Sequence, residues 1–209
     1  KPVIPQPGTN RWSGVALPWM AFGYGLSVTP LQTLTLYNAV ANDGVMVKPI
    51  FVSEIKEWNK TIKKYNTEVI NPKICSQETL DKVQAVLENV VKRGTGSKLY
   101  SKDFSMAGKT GTAQVNYKDK SKLYYASSFV GYFPADEPKY SCIIVVHKPN
   151  VAAGYYGADV AGPVFKRIAQ KIFTDSPSTN HVKNIDAKVV SQEKNYSEYY
   201  KKVEKEERI

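Results

Sequence analysis

Apolar residues recur at helical spacing in three stretches of this chain, and residues that start or stop helices bound each stretch. In the first stretch, Thr29 and Gln32 match a capping box, and Pro30 suits the first helical position. Asn42-Asp43-Gly44 ends the repeat. These signals predict a helix with five apolar residues at helical spacing: Leu31, Leu34, Tyr37, Val40 and Ala41.

The other two stretches predict a central helix and a final helix. Ser76 caps the central helix, Lys92 and Arg93 complement its negative end, and Gly94 terminates it. Its apolar face consists of Leu80, Val83, Leu87, Val90 and Val91. The apolar face of the final helix consists of Val164, Phe165, Ile168, Ala169, Ile172 and Phe173. Residues 1–20, rich in Pro, Gly and Trp without periodicity, are expected to be irregular.

Residues typical of strands fill the intervals between these helices. Short runs are predicted at 45–47, 49–52, 61–62 and 69–70, with Asn59-Lys60 as the turn of a charged, exposed hairpin. Three longer strands are predicted at about 104–115, 124–133 and 139–148, and the turn at 134–138 joins the last two. The run 142–146 is apolar at every position, which predicts a strand covered on both faces.

Length and composition favour one core domain with a small appendage. The chain has 209 residues, of which 42% are hydrophobic, and it contains no apolar run near 18 residues. It begins at Lys1 without a signal-peptide pattern or a methionine, as expected for a piece of something longer. We expect residues 1–174 to form the domain portion.

The segment 175–209 differs from the rest of the chain. A linker rich in Ser, Pro and Asn is followed by a charged stretch with four residues on one helical face: Tyr196, Tyr199, Tyr200 and Val203. We interpret this segment as a linker and an amphipathic tail. The tail is either a docking helix or the start of another module.

The net charge of +10 raises the hypothesis of a nucleic-acid binder. However, residues 183–208 hold seven basic and six acidic residues, a nearly balanced mixture. Residues 92–122 hold eight basic residues against two acidic ones, without a recognition motif or interleaved aromatic residues. This basic cluster is either a solvated face or a surface that attracts an anionic substrate, and no nucleic-acid partner is predicted.

The cysteines and histidines predict no metal site. Cys75 and Cys142 lack partners at metal-ligand spacing and are interpreted as reduced or buried small apolar residues. His147 and His181 are isolated in the sequence.

The tetrapeptide Lys109-Thr110-Gly111-Thr112 is the main candidate for chemistry, and it falls inside the predicted strand 104–115. An ammonium group and threonine hydroxyls beside a strand edge suit a carboxylate ligand. Glycine at position 111 lets a substrate backbone approach the edge. A Lys-Thr-Gly element is also one part of the signature of penicillin-binding proteins.

Several segments around this tetrapeptide resemble the C-terminal part of the transpeptidase domain of class B penicillin-binding proteins, the division-type peptidoglycan D,D-transpeptidases. The matching segments keep the family's order and spacing and lie at 22–25, 28–32, 41–44, 107–114, 128–134, 155–157 and 161–165. The resemblance implies a mixed α/β (α+β) fold. That fold is part of the serine β-lactamase-like sandwich, in which helices flank an antiparallel sheet.

The resemblance also implies roles for the tetrapeptide. Lys109 and Thr112 are the expected catalytic residues, because Lys109 supplies positive charge and the Thr112 N–H forms half of an oxyanion hole. Thr110, Gly111 and Thr112 are the expected substrate-binding residues. Their ligand is the carboxylate of a D-Ala-D-Ala stem peptide or of a β-lactam. No metal or organic cofactor is implied.

The family's nucleophile lies in a Ser-x-x-Lys element upstream of the Lys-Thr-Gly, where helical spacing lets the lysine take the serine proton. Ser53 and Lys56 match the spelling but fall in strand-like sequence, which would place them on opposite faces. A second Ser-x-x-Lys at 191–194 and a Ser-x-Asn at 178–180 follow the tetrapeptide in the wrong order. This chain alone is therefore expected to be inactive.

The resemblance thus assigns the chain to a penicillin-binding enzyme that cross-links stem peptides by serine acyl transfer. The expected partners are the remaining N-terminal part of the same protein and other cell-division proteins. The expected location is the extracytoplasmic side of the membrane, with an N-terminal helix as the anchor. The alternative is a non-catalytic wall-peptide-binding or divisome scaffold module with the same fold. An isolated piece of the enzyme would expose a sheet edge.

Overall fold

The computed structural model describes residues 2–116, 119 and 121–175. Its helices are α1 (Ala16–Ala21), α2 (Pro30–Ala41), α3 (Gln77–Lys92), α4 (Gly157–Val160) and α5 (Gly162–Asp175), with a short 3-10 helix at Ser97–Leu99. Its strands are β1 (Met46–Val47), β2 (Glu54–Glu57), β3 (Lys60–Lys64), β4 (Val69–Asn71), β5 (Ala107–Val115), β6 (Tyr124–Phe133) and β7 (Tyr140–His147). The predicted tail lies outside the described residues.

The main sheet is antiparallel with the order β5-β6-β7. On one face, Phe129 and Phe133 of β6 pack against Phe165 of α5 in a core of buried aromatic and aliphatic side chains. On the other face, Tyr132 belongs to a second core, to which α2 and α3 contribute Val40, Leu80 and Leu87. Helices therefore flank an antiparallel sheet on both sides, which confirms the predicted fold class.

Both capped helices begin where the sequence predicts. The Thr29 hydroxyl accepts from the Gln32 N–H at 3.2 Å, and the Gln32 side chain accepts from the Thr29 N–H at 2.9 Å. Ser76 accepts from the Thr79 N–H at 3.2 Å at the start of α3. These bonds satisfy N–H groups that a helix cannot pair internally. Helix α5 and the three long strands also confirm their predictions, with β5 beginning at Ala107 rather than at 104.

Three local predictions are wrong. Residues 16–21 form helix α1, because contacts among Trp19, Phe22 and Tyr24 fold a segment that lacks helical periodicity. Residues 49–52 form no strand. The hairpin turn is Trp58-Asn59, whose φ angles of 48° and 63° place both residues in the left-handed region of a tight two-residue turn.

The β2–β3 hairpin projects from the fold with both faces exposed. Every residue from 51 to 73 is exposed, and Trp58 at the tip is 96% exposed. This exposed ribbon, residues 54–65, is anchored at its base by β1 and β4, which pair with each other. The predicted charged, exposed hairpin is thus confirmed, although its turn lies one residue earlier.

Strand β7 is the edge of the sheet opposite β5. Helices α2 and α5 contact it from the two faces, as its apolar run predicts. Residues 141–146 nevertheless remain half-buried, because no strand pairs with the outer side of β7 among the described residues. Within the part of the chain that the structure describes, the sheet therefore has an unpaired edge at β5 as well as at β7.

Cys75 and Cys142 are free and half-buried, in agreement with their interpretation. Across the described ranges, no group of three His, Cys, Asp or Glu side chains is placed to hold a metal ion. In the same residues, no helix has the length and apolar character needed to cross a bilayer.

We predict that Gly131→Ala strongly destabilises the fold. A Cβ at position 131 would meet the Ala107 carbonyl oxygen and lie 2.8 Å from the Gly108 Cα, and backbone atoms in a central strand pair cannot move aside. Chemical denaturation should show a loss of about 2 kcal/mol or more in the free energy of unfolding. Gly14→Ala is the matched control, since nothing lies within 4 Å of its added Cβ. Equal stability of the two variants would contradict the expected clash.

Candidate active site

The tetrapeptide Lys109-Thr110-Gly111-Thr112 lies in the middle of β5, at the open edge of the sheet. Thr110 stands opposite Phe129 in the strand register, so its side chain belongs to the face that packs on α5. Thr112 shares that face by alternation, and Lys109 belongs to the opposite face. Lys109 and Thr112 are exposed, whereas Thr110 is half-buried.

Backbone directions show what the open edge offers to a ligand. The Gln114 N–H donates to the Tyr24 hydroxyl at 3.2 Å, outside the sheet. Because N–H groups two residues apart point the same way along a regular strand, the Thr112 and Thr110 N–H groups also face the open edge. The register of β5 on β6 is continuous over this stretch, so no bulge reverses the alternation.

The Lys109 side chain bends over this same edge. Its ammonium donates to the Thr110 carbonyl oxygen at 3.0 Å. A carbonyl points to the same side of an antiparallel strand as the N–H of its own residue, so the Thr110 carbonyl also faces outward. The ammonium therefore lies on the same edge as the outward Thr112 N–H.

The Thr112 hydroxyl is oriented by Gly157 at the start of α4. The Gly157 N–H donates to Thr112 Oγ1 at 3.0 Å. A Cβ at position 157 would meet the Ser128 carbonyl oxygen and would lie 2.5 Å from the Gly111 carbonyl oxygen. Only glycine can approach the sheet so closely. Thr112 Oγ1 thus accepts one hydrogen bond from the backbone of α4.

Gly111 has a packing role in addition to the one expected from the sequence. A Cβ at this position would lie 2.5 Å from Ser128 Oγ on the neighbouring strand. A side chain at position 111 would therefore require the Ser128 hydroxyl to move. The absence of a side chain also leaves this stretch of the edge open to a ligand.

Thr95 is a residue that the sequence interpretation missed. Its hydroxyl oxygen lies 3.0 Å from that of Thr110, within hydrogen-bond distance. It belongs to a tight turn in which a Cβ on Gly94 would lie 2.8 Å from the Val90 Cα. The sequence Gly94-Thr95-Gly96 holds the signal, but Gly94 is interpreted there only as a helix stop.

Aromatic side chains border the C-terminal end of the site. Tyr125 and Tyr155 stack with ring centroids 4.1 Å apart, and Tyr156 lies beside Tyr155 at 4.4 Å. Gln114 donates from its side-chain amide to the Tyr125 hydroxyl at 3.2 Å. The hydrogen bond to Tyr156 raises the pKa of Tyr155 to about 12, so this phenol stays neutral at physiological pH.

The first Ser-x-x-Lys match does not form a catalytic pair. Ser53 precedes β2, and Lys56 lies on β2 in an ion pair with Glu54 at 2.7 Å on the exposed ribbon. Ser53 and Lys56 are both exposed to solvent, so neither lies in a pocket. The second match, at 191–194, and the Ser-x-Asn at 178–180 lie outside the described residues.

Ion pairs neutralise part of the basic cluster at 92–122. Lys92 pairs with Glu88 at 2.9 Å, and Lys98 pairs with Asp159 at 2.6 Å. Lys122 pairs with Asp119 at 3.3 Å. These contacts favour the solvated-face interpretation for Lys98 and Lys122, whose side chains are exposed, whereas the Lys92 side chain is largely buried. Lys118 and Lys120 lie outside the described residues.

Comparisons with known proteins identify the family of this chain. Residues 5–170 match the family described as the penicillin binding protein transpeptidase domain. The chain is 33% identical over 168 residues to the peptidoglycan D,D-transpeptidase FtsI of Buchnera aphidicola, covering 78% of this chain and 28% of that protein. It is 35% identical over 155 residues to the stage V sporulation protein D of Bacillus subtilis, covering 71% and 23%. The chain therefore spans about a quarter of the length of these curated relatives.

Solved structures show the same fold. Penicillin binding protein 3 from Mycobacterium tuberculosis superimposes with a TM-score of 0.68 at 30% identity, covering 79% of this chain and 39% of that one. That protein has also been solved in complexes with aztreonam and with ampicillin. The family resemblance found in the sequence is confirmed.

We predict a measurable thermodynamic coupling between Thr95 and Thr110. Replacing either by valine removes one hydroxyl with little change of shape. A double-mutant cycle in chemical denaturation should give a coupling of about 0.5–1.5 kcal/mol, the net value of one hydrogen bond. The control cycle pairs Thr95→Val with Thr61→Val on the ribbon, where Thr61 bonds Glu54, and should be additive. An additive Thr95–Thr110 cycle would show that the two hydroxyls do not interact.

Proposed function

We propose that this chain, which belongs to the penicillin-binding protein transpeptidase family, forms one wall of the active site of a peptidoglycan D,D-transpeptidase. One observation carries the proposal. At the open edge of β5, the Lys109 ammonium, the Thr112 hydroxyl and the outward Thr112 N–H lie together. This combination suits a ligand with a carboxylate close to a reactive carbonyl.

The carboxylate of the ligand binds between the Lys109 ammonium and the hydroxyls of Thr110 and Thr112. Lys109 supplies the charge, and the hydroxyls of Thr110 and Thr112 donate hydrogen bonds to the carboxylate oxygens. Gly157 supports this role, because its N–H fills one acceptor position of the Thr112 hydroxyl and leaves the hydroxyl proton for the ligand. When the Thr95 hydroxyl donates to Thr110 Oγ1, the Thr110 hydroxyl proton is likewise left for the ligand.

The reactive carbonyl binds at the Thr112 N–H. A serine hydroxyl attacks this carbonyl carbon, and the negative charge that develops on its oxygen is stabilised by the N–H. The peptide bond to the terminal D-Ala then breaks. The nitrogen of D-Ala takes up a proton, and D-Ala leaves. The amine of a neighbouring stem peptide attacks the resulting ester and releases the serine. Gly111 leaves room for the ligand backbone beside β5.

The attacking serine is supplied by a part of the protein other than this sequence. Lys56 is held by Glu54 on the exposed ribbon, so it is not placed to act as the base for Ser53. The coverage of about a quarter of each relative supports this division of the site. Residues 1–174 are accordingly the C-terminal portion of the transpeptidase domain, and residues 175–209 are an appended tail.

We extend the proposal to the ligand, the location and the partners of the parent enzyme. The ligand is a stem peptide or a β-lactam, as in the aztreonam and ampicillin complexes of the mycobacterial relative. The parent enzyme acts outside the cytoplasmic membrane, is anchored by a helix elsewhere in its sequence, and works with other cell-division proteins. The identity to named D,D-transpeptidases favours an enzyme over the non-catalytic scaffold. Nothing in the described site favours a nucleic acid.

We predict that Lys109→Ala in the full-length protein slows acylation by a labelled penicillin by about 10- to 100-fold, because a charge-assisted hydrogen bond to the carboxylate is lost. Stopped-flow or gel-based acylation rates measure the effect. Lys63→Ala is the matched control, since Lys63 lies over the Tyr65 ring on the exposed ribbon. Equal rates for Lys109→Ala and the wild-type protein would refute the proposed role of Lys109.

We also predict that the acylated serine lies outside this sequence. After the full-length protein reacts with penicillin, peptide mass spectrometry should place the adduct on a peptide that this chain does not contain. Ser53→Ala and Ser191→Ala should leave the acylation rate unchanged. An adduct on Ser53 or Ser191 would overturn the assignment of the nucleophile.

A further inference from the structure

We infer that Tyr24 terminates the ligand-binding edge of β5 and so determines how much of a bound stem peptide is recognised through its backbone. This inference rests on the proposed function, because it concerns the same edge. The observation behind it is the hydrogen bond from the Gln114 N–H to the Tyr24 hydroxyl at 3.2 Å. The phenol occupies the position that the next residue of an added strand would need.

The fold holds Tyr24 at this position. Gly23 and Gly25 flank it with φ angles of 97° and 78°, values that non-glycine residues seldom adopt. The Tyr24 ring meets the rings of Trp19 and Phe22 edge-on, each with a centroid separation of 5.8 Å. The turn and the aromatic cluster therefore carry the hydroxyl from helix α1 to the end of β5.

The proposed binding mode fixes the direction of the ligand. Its carboxylate lies at Lys109 and Thr110, and its reactive carbonyl lies at the Thr112 N–H. The residues that precede this carbonyl in the ligand must then extend toward Gln114. The ligand consequently runs antiparallel to β5, as a strand added to the edge of a sheet can do.

The next outward N–H in this direction belongs to Gln114. An extended ligand would place a carbonyl there, and this carbonyl would accept a hydrogen bond from the Gln114 N–H. The Tyr24 hydroxyl already accepts it, so the backbone ladder between β5 and the ligand ends at Thr112. Residues farther from the reacting bond are left to side-chain contacts. Selectivity for the upper part of the stem peptide therefore depends on Tyr24 and its surroundings.

The test is Tyr24→Phe in the full-length protein, which keeps the ring and removes the acceptor. Two probes compete with a labelled penicillin: N-acetyl-D-Ala-D-Ala and a pentapeptide that ends in the same dipeptide. With the Gln114 N–H released, the pentapeptide gains one backbone hydrogen bond that the dipeptide is too short to make. The ratio of pentapeptide affinity to dipeptide affinity should rise by about 2- to 10-fold.

Tyr65→Phe is the matched control, because Tyr65 is a tyrosine of the exposed ribbon, and its ratio should equal that of the wild-type protein. An unchanged or lower ratio in Tyr24→Phe overturns the inference. The proposed function fails by a separate result, normal acylation of Lys109→Ala. The two failures can therefore be distinguished, since an unchanged ratio in a protein that still needs Lys109 rejects only the role of Tyr24.

Discussion

The antiparallel pairing of β5 with β6 is the constraint on which the rest of this structure depends. Its register runs without interruption from Ala107 opposite Tyr132 to Val115 opposite Tyr124. This register assigns Ala107 to one core and Thr110 to the other face. It also fixes which N–H groups of β5 point away from the sheet. A shift by one residue would exchange the faces and turn the Thr112 N–H into the sheet.

Close backbone contacts at two glycines are the second constraint on the structure. Gly131 lets β6 lie against β5, and Gly157 lets the start of α4 touch the pair from the α5 side. The contact at Gly157 does more than fill space, because its N–H orients the Thr112 hydroxyl. Packing and chemistry are thus joined at one position. A larger side chain there would disturb both the core and the orientation of the proposed ligand group.

The elements with strong local signals could be predicted from the sequence. The caps at Thr29 and Ser76 form as expected, because each involves residues only three positions apart. The apolar runs of β6 and β7 also predict these two strands. Helix α1 was not predicted, because its sequence has no apolar repeat and aromatic contacts stabilise it instead. The turn at Trp58-Asn59 was not predicted, because the sequence favoured Asn59-Lys60 as the turn. The structure instead places Trp58 and Asn59 at positive φ.

The sequence by itself determined the family, the fold class and the tetrapeptide 109–112, because residue order and local periodicity are properties of the chain alone. Only the tertiary structure decided how that tetrapeptide is supported. Thr95 lies 15 positions from Thr110, Gly157 lies 45 from Thr112, and Tyr24 lies 90 from Gln114. No local pattern relates residues so far apart. Their hydrogen bonds exist because the sheet register and the packing of α3, α4 and the Tyr24 turn bring them to one strand edge.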